Sequence, residues 1–135
     1  MKSKIIIIGL VVATMFVTSC KKIKEEIVGV WYYQTYKNTP NDQVVCNFLA
    51  TGEMIRTLQK NEKIYCDTCQ YSVVQTAFKK QVIITNSKDF PEIGSFDGTY
   101  KVYNYKDDIL KMNRISFSDG TKGGSFKRIE MIRKK

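Results

Sequence analysis

Thr99-Tyr100-Lys101-Val102-Tyr103-Asn104-Tyr105-Lys106-Asp107-Asp108-Ile109-Leu110-Lys111-Met112-Asn113 is the stretch whose reading decides the fold. Its two outer runs are rich in Tyr, Val, Ile and Thr, side chains that suit a pleated, half-buried surface. Between them, Lys106-Asp107-Asp108 favours a turn, because Asp bonds its own neighbouring backbone and tolerates positive φ. The stretch reads as strand, turn, strand.

Outward from it the same punctuation recurs. Strands are expected over 27–36, 44–49, 54–59, 71–78, 81–85, 99–105, 109–113, 115–117 and 125–132. The breaks fall at Asn38-Thr39-Pro40-Asn41-Asp42, Thr51-Gly52, Lys79-Lys80, Asp97-Gly98, Lys106-Asp107-Asp108 and Asp119-Gly120. No stretch past residue 20 sustains the i, i+3, i+4, i+7 apolar pattern of a helix. Connections this short leave no room for crossover helices, so neighbouring strands are antiparallel, and eight or nine of them in sequence can close into a barrel without a free edge. The fold class is therefore all-β, a small up-and-down barrel. The longer segment 86–96, with Pro91, is a loop or short helical turn over one barrel end. In Ile27-Val28-Gly29-Val30-Trp31-Tyr32-Tyr33 both faces are apolar, which suits a strand covered on both sides or a barrel rim.

The start of the chain has a different logic. Lys2 and Lys4 precede an apolar run over 5–17, which leads into Val17-Thr18-Ser19-Cys20. That order is a secretory signal, and the run is well short of the ~20 apolar residues that span a bilayer. The tetrad resembles the lipobox of bacterial lipoproteins at all four positions. The resemblance implies cleavage after residue 19, a diacylglyceryl group on the Cys20 thiol and fatty acylation of the new amino terminus, enough chains to hold a protein on a membrane. Lys21-Lys22-Ile23-Lys24-Glu25-Glu26 reads as a short charged tether, too polar to pack. The expected division is a signal peptide over 1–19, anchor and tether over 20–26, and a barrel over 27–133. Lys24-Glu25-Glu26 is similar to the surface-export signal of Bacteroidota lipoproteins, and Lys21 in place of Asp after the cysteine points to the outer membrane, periplasmic or surface-facing.

Gly29-Val30-Trp31 in the first strand resembles the Gly-x-Trp signature that opens lipocalins. With Phe48 ahead of Thr51-Gly52-Glu53, the two late strands quoted above and a basic final strand, the layout is similar to lipocalin-like lipoproteins of Bacteroidota over about 27–133. The resemblance implies a barrel floor closed by Trp31 under an arginine from the last strand, Arg128 first and Arg133 second, through cation–π contact. It also implies an open end that takes a small apolar or amphipathic ligand; Trp31 at the floor and Tyr33, Phe48, Tyr71 and Tyr100 on the wall are the residues expected to face it. The competing expectation is a filled barrel whose loops or basic outer face bind an envelope protein or an acidic glycan.

Several chemistries have no basis in the sequence. The chain contains no histidine, the commonest general base and zinc ligand. Asp107-Asp108 is turn chemistry, and no cofactor motif is present, so no enzyme is expected. The net charge is +9, with 22 basic and 13 acidic residues, and it stays strongly positive without Lys2 and Lys4. In an exported protein this favours anionic surfaces over nucleic acid. Cys66-Asp67-Thr68-Cys69 has redox-motif spacing without the helix that lowers a thiol pKa. With Cys46 it is one ligand short of a four-cysteine zinc site. In an oxidising envelope one disulfide among Cys46, Cys66 and Cys69 is expected, with its connectivity open, and reduced buried thiols are the competing expectation.

Overall fold

The computed structural model describes residues 22–34, 43–117 and 127–135. The expected signal peptide, Cys20, the turn at 38–42 and the Asp119-Gly120 turn lie outside the described residues. A one-turn helix, α1 (Ile23–Ile27), precedes eight strands: β1 (Gly29–Tyr33), β2 (Gln43–Phe48), β3 (Glu53–Lys60), β4 (Lys63–Gln75), β5 (Lys80–Thr85), β6 (Gly98–Asn104), β7 (Ile109–Ser116) and β8 (Arg128–Arg133). Each strand pairs antiparallel with the next, and β8 returns to β1 through Trp31 opposite Arg133 and Tyr33 opposite Met131. The result is a closed eight-strand up-and-down barrel, the architecture of a small lipocalin-like domain.

Period-two alternation assigns the inner face. Val44, Cys46 and Phe48 on β2, Met54, Arg56 and Leu58 on β3, and Asp67, Cys69 and Tyr71 on β4 all point inward and are buried. Eight strands leave an interior about wide enough for side chains to fill. Phe48, Met54, Arg56, Ile84, Tyr100 and Met112 have no exposed surface at all, so no water-sized space lies against them.

The two ends differ. At one, all the connections are short turns, 49–52, 76–79 and 105–108; at the other, the two-residue turn Asn61-Glu62 stands beside the longer connections, including 86–97 between β5 and β6. The short-turn end is the floor. There α1 crosses from β1 toward β4, and Ile23 N donates to Gln75 Oε1 at 2.7 Å. Ile23 and Ile27, four apart and so on one helical face, are both fully buried. This corrects the expected tether: Ile27 was assigned to a strand, and without it Ile23 had no i+4 partner to define an apolar face.

Three further strand expectations change. The runs 109–113 and 115–117 are one strand, β7, because Arg114 continues the alternation instead of ending it. Residues 66–69, outside every expected strand, are the middle of β4, with Thr57 opposite Cys66 and Met54 opposite Cys69. The last strand begins at Arg128, and its last described inward residues are Ile129, Met131 and Arg133.

Candidate functional site

The floor is built around Trp31. Its indole Nε1 donates to Ile27 O at 2.8 Å, and the Arg133 guanidinium carbon lies 4.2 Å from the ring centroid. Arg133 Nη1 donates to Val28 O at 2.9 Å and Nη2 to Glu26 O. These carbonyls belong to the last turn of α1, where they have no partner within the helix, so the arginine caps the helix while it covers the tryptophan. Arg133 Nε also meets Asp108 Oδ1 at 3.2 Å. The first-choice floor residue, Arg128, is corrected here. It lies an odd number of residues from Arg133 on the same strand, so it faces outward, 56% exposed, and pairs with Glu130 at 2.5 Å.

At the opposite end the 86–97 segment folds into a cap. Ser87 N and Oγ both donate to Asp97 Oδ1, at 2.8 and 2.6 Å, and Phe96 N donates to Ser87 Oγ at 2.8 Å. The two ends of the segment are thereby stitched together, as in an Ω-loop. Phe90 and Phe96 turn into the barrel and are buried.

Arg56 holds this cap. It is fully buried and makes a two-pronged contact with Asp67, Nε to Oδ1 at 3.0 Å and Nη2 to Oδ2 at 2.6 Å. Two of its remaining donors reach the cap, Nη2 to Lys88 O at 2.7 Å and Nη1 to Gly94 O at 3.2 Å. Asp67 Oδ2 in turn accepts from Lys88 N at 2.7 Å. The guanidinium also lies 4.4 Å from the Phe90 centroid and 4.5 Å from that of Phe96. A buried charge is tolerated only when paired and hydrogen-bonded, and both conditions are met.

Further clips come from neighbouring strands. Lys127 Nζ donates to Ser95 O at 2.8 Å and to Ile93 O, and lies 4.5 Å over Phe96. Burial, reinforced by Arg114 and Arg56, lowers its pKa to about 8. Lys60 pairs with Glu92, and Arg114 Nη1 donates to Asp97 O at 3.3 Å. On the outer side of the cap, Asp89, Phe90, Pro91, Glu92 and Gly94 line a shallow depression open to solvent.

The five residues expected to face a ligand all point to the interior, at different depths. Phe48 and Tyr71 stack edge to face at 5.1 Å, and Tyr71 Oη donates to Leu49 O at 2.6 Å, on the floor side. Tyr33 meets Phe96 at 5.3 Å, and Tyr100 Oη donates to Phe96 O at 2.8 Å, on the cap side. Trp31 sits at the floor. Burial raises the pKa of all three tyrosines.

Among the described residues, Cys46, Cys66 and Cys69 are free thiols, which corrects the expected disulfide. Residues three apart on a strand point to opposite faces, so Cys66 is exposed while Cys69 is buried. Cys46 also points inward, but Arg56 of β3 is its cross-strand neighbour, and Cys69 lies a further strand away beside Met54. Burial pushes both inner thiols up to about 12, helped at Cys69 by Asp67. They stay protonated and poorly nucleophilic at neutral pH.

Sequence reasoning missed Arg56 and Asp67. Their signal was a charge at an inward position of an alternating run, Met54-x-Arg56-x-Leu58 facing Tyr65-x-Asp67-x-Cys69. It becomes visible only once 66–69 is read as strand. No family model matches the chain, and no curated protein is detectably similar to it.

Proposed function

We propose that the protein is a non-enzymatic lipoprotein of the bacterial cell envelope, acylated at Cys20 and held at the outer membrane, whose barrel serves as a rigid module for docking an envelope protein. The observation that carries this reading is the occupancy of the barrel. Its interior holds Arg56, Asp67, Phe90 and Phe96 at one end and Trp31 with α1 at the other. The Tyr71 and Tyr100 hydroxyls are already bonded to backbone, so they leave little polar capacity to orient a guest. Recognition then falls to the outer surface of the cap. Its mix of Lys88, Asp89, Glu92 and Pro91 suits a protein partner more than a polyanion. The lipocalin resemblance supports the barrel scaffold but carries no ligand with it.

Native mass spectrometry on protein extracted from membranes tests this directly. The expected mass is that of the acylated chain with no small molecule retained, and proximity labelling from the cap recovers an envelope protein. A stoichiometric apolar guest that survives high salt overturns the docking role in favour of ligand carriage. Recovery of a polyanionic glycan in place of a protein, with binding lost at high ionic strength, identifies an acidic glycan instead. Intact mass without acyl chains overturns the anchor.

A further inference from the structure

The turn at 76–79 carries an aromatic side chain where turn chemistry favours polar or small ones. Phe78 is 102% exposed. It is not loosely placed: Thr76 N donates to Lys79 O at 2.8 Å, and Thr76 Oγ1 accepts from Phe78 N at 3.3 Å and Lys79 N at 3.0 Å. The turn is fixed and the ring stands off it. Lys79 and Lys80 follow directly, both exposed. The neighbouring turn adds Lys106, with Lys80 Nζ and Lys106 Nζ at 5.6 and 5.9 Å from the Tyr105 ring. An aromatic tip ringed by lysines has the composition of an interfacial membrane contact, apolar body inward and cations at the headgroups.

Chain geometry places the same corner at the anchor. Ile23 N is bonded to Gln75 Oε1, and Gln75 is three residues before Phe78. Cys20 is three residues before Ile23, a separation of at most about 11 Å of extended chain. Because Ile23 is locked into the floor, acylation of Cys20 would tether this end of the barrel to the bilayer within that chain length. The acidic groups of this end are Glu25 and Glu26 on α1, Glu53 beside the 49–52 turn, and Asp107 and Asp108 on the next turn. Asp108 is bonded to Arg133, and Lys22, Lys24, Lys134 and Lys135 stand exposed on the same floor.

We infer that the short-turn end is a bilayer-contacting face, with Phe78 entering the headgroup–acyl boundary of an anionic membrane and Lys79, Lys80 and Lys106 lying over its headgroups. The barrel thus sits floor-down and turns its cap outward. The orientation rests on the proposed acylation of Cys20; the contact face itself does not.

The test uses the full protein reconstituted in phosphatidylcholine–phosphatidylglycerol vesicles with bromine-labelled acyl chains. In the Phe78→Trp variant, a new blue-shifted emission quenched by the bromines is expected, while the emission of Trp31 in the unsubstituted protein stays unquenched. With acylation verified by mass, absence of quenching at position 78 overturns the proposal, as does a photo-crosslink from that position to a protein and not to lipid. If Cys20 carries no acyl chain, the lipoprotein reading falls by itself, and flotation with the same vesicles decides the face. Binding to anionic but not neutral vesicles that drops roughly tenfold or more in Lys79→Glu/Lys80→Glu supports it, and failure to float overturns it.

Discussion

Gly29 has a φ of +134°, and a Cβ there would stand 2.6 Å from Arg133 Nη1. The glycine of Gly-Val-Trp is therefore the space through which the arginine reaches the α1 carbonyls. Gly29→Ala is expected to cost about 1–3 kcal/mol through backbone strain and the displaced guanidinium, read as a lower denaturation midpoint. Arg133→Ala removes charge-assisted bonds worth about 1.5–3 kcal/mol and should red-shift Trp31 emission. Arg128→Ala should stay within about 0.5 kcal/mol of the parent, and equal losses at the two arginines would contradict the assignment of the floor. Arg56→Ala leaves Asp67 buried without its counter-charge, a loss of about 3–5 kcal/mol. Replacing both, Arg56→Met with Asp67→Leu, should recover most of that stability by the same physics while the cap becomes cleavable by protease within 86–97.

At the scale of elements, the hairpins were legible because their turn chemistry is local. The Lys106-Asp107-Asp108 turn appears where expected, with Asp107 and Asp108 at φ of 57° and 59°. β4 was half hidden: Cys66-Asp67-Thr68-Cys69 carries no β-branched apolar residue, and an inward carboxylate breaks the hydrophobic alternation that marks a strand. α1 was hidden because one helical turn is too short for periodicity to register. The strand reading of 66–69 has a direct check. A thiol reagent at pH 8 should label Cys66 in the folded protein and leave Cys46 and Cys69 unmodified until denaturant is added; rapid labelling of Cys69 together with Cys66, located by peptide mapping, would place 66–69 outside the sheet.

For the whole molecule, the buried thiols set an alkaline limit. Their folded pKa lies near 12 against an ordinary 9.0. Between these values the unfolded chain has released protons that the folded chain still holds, so stability present below pH 9 is lost as pH rises toward 12. Lys127 works the other way, since its pKa falls from 10.5 to about 8; stability falls with decreasing pH across that window, which offsets part of the thiol effect. Denaturation midpoints should therefore decline above pH 9, and less steeply in a Cys46→Ala/Cys69→Ala background; a flat profile would mean the thiols are not buried. The sequence by itself determined an all-β chain of consecutive hairpins and the expectation of a lipid on Cys20, because turn residues, strand composition and the short motif act locally along the chain. Only the tertiary structure decided that Arg133 and not Arg128 covers Trp31, that Arg56 and Asp67 meet inside the barrel under the cap, and that the three thiols do not pair. Those outcomes depend on register and barrel closure, which put each side chain inside or outside by a single residue's shift.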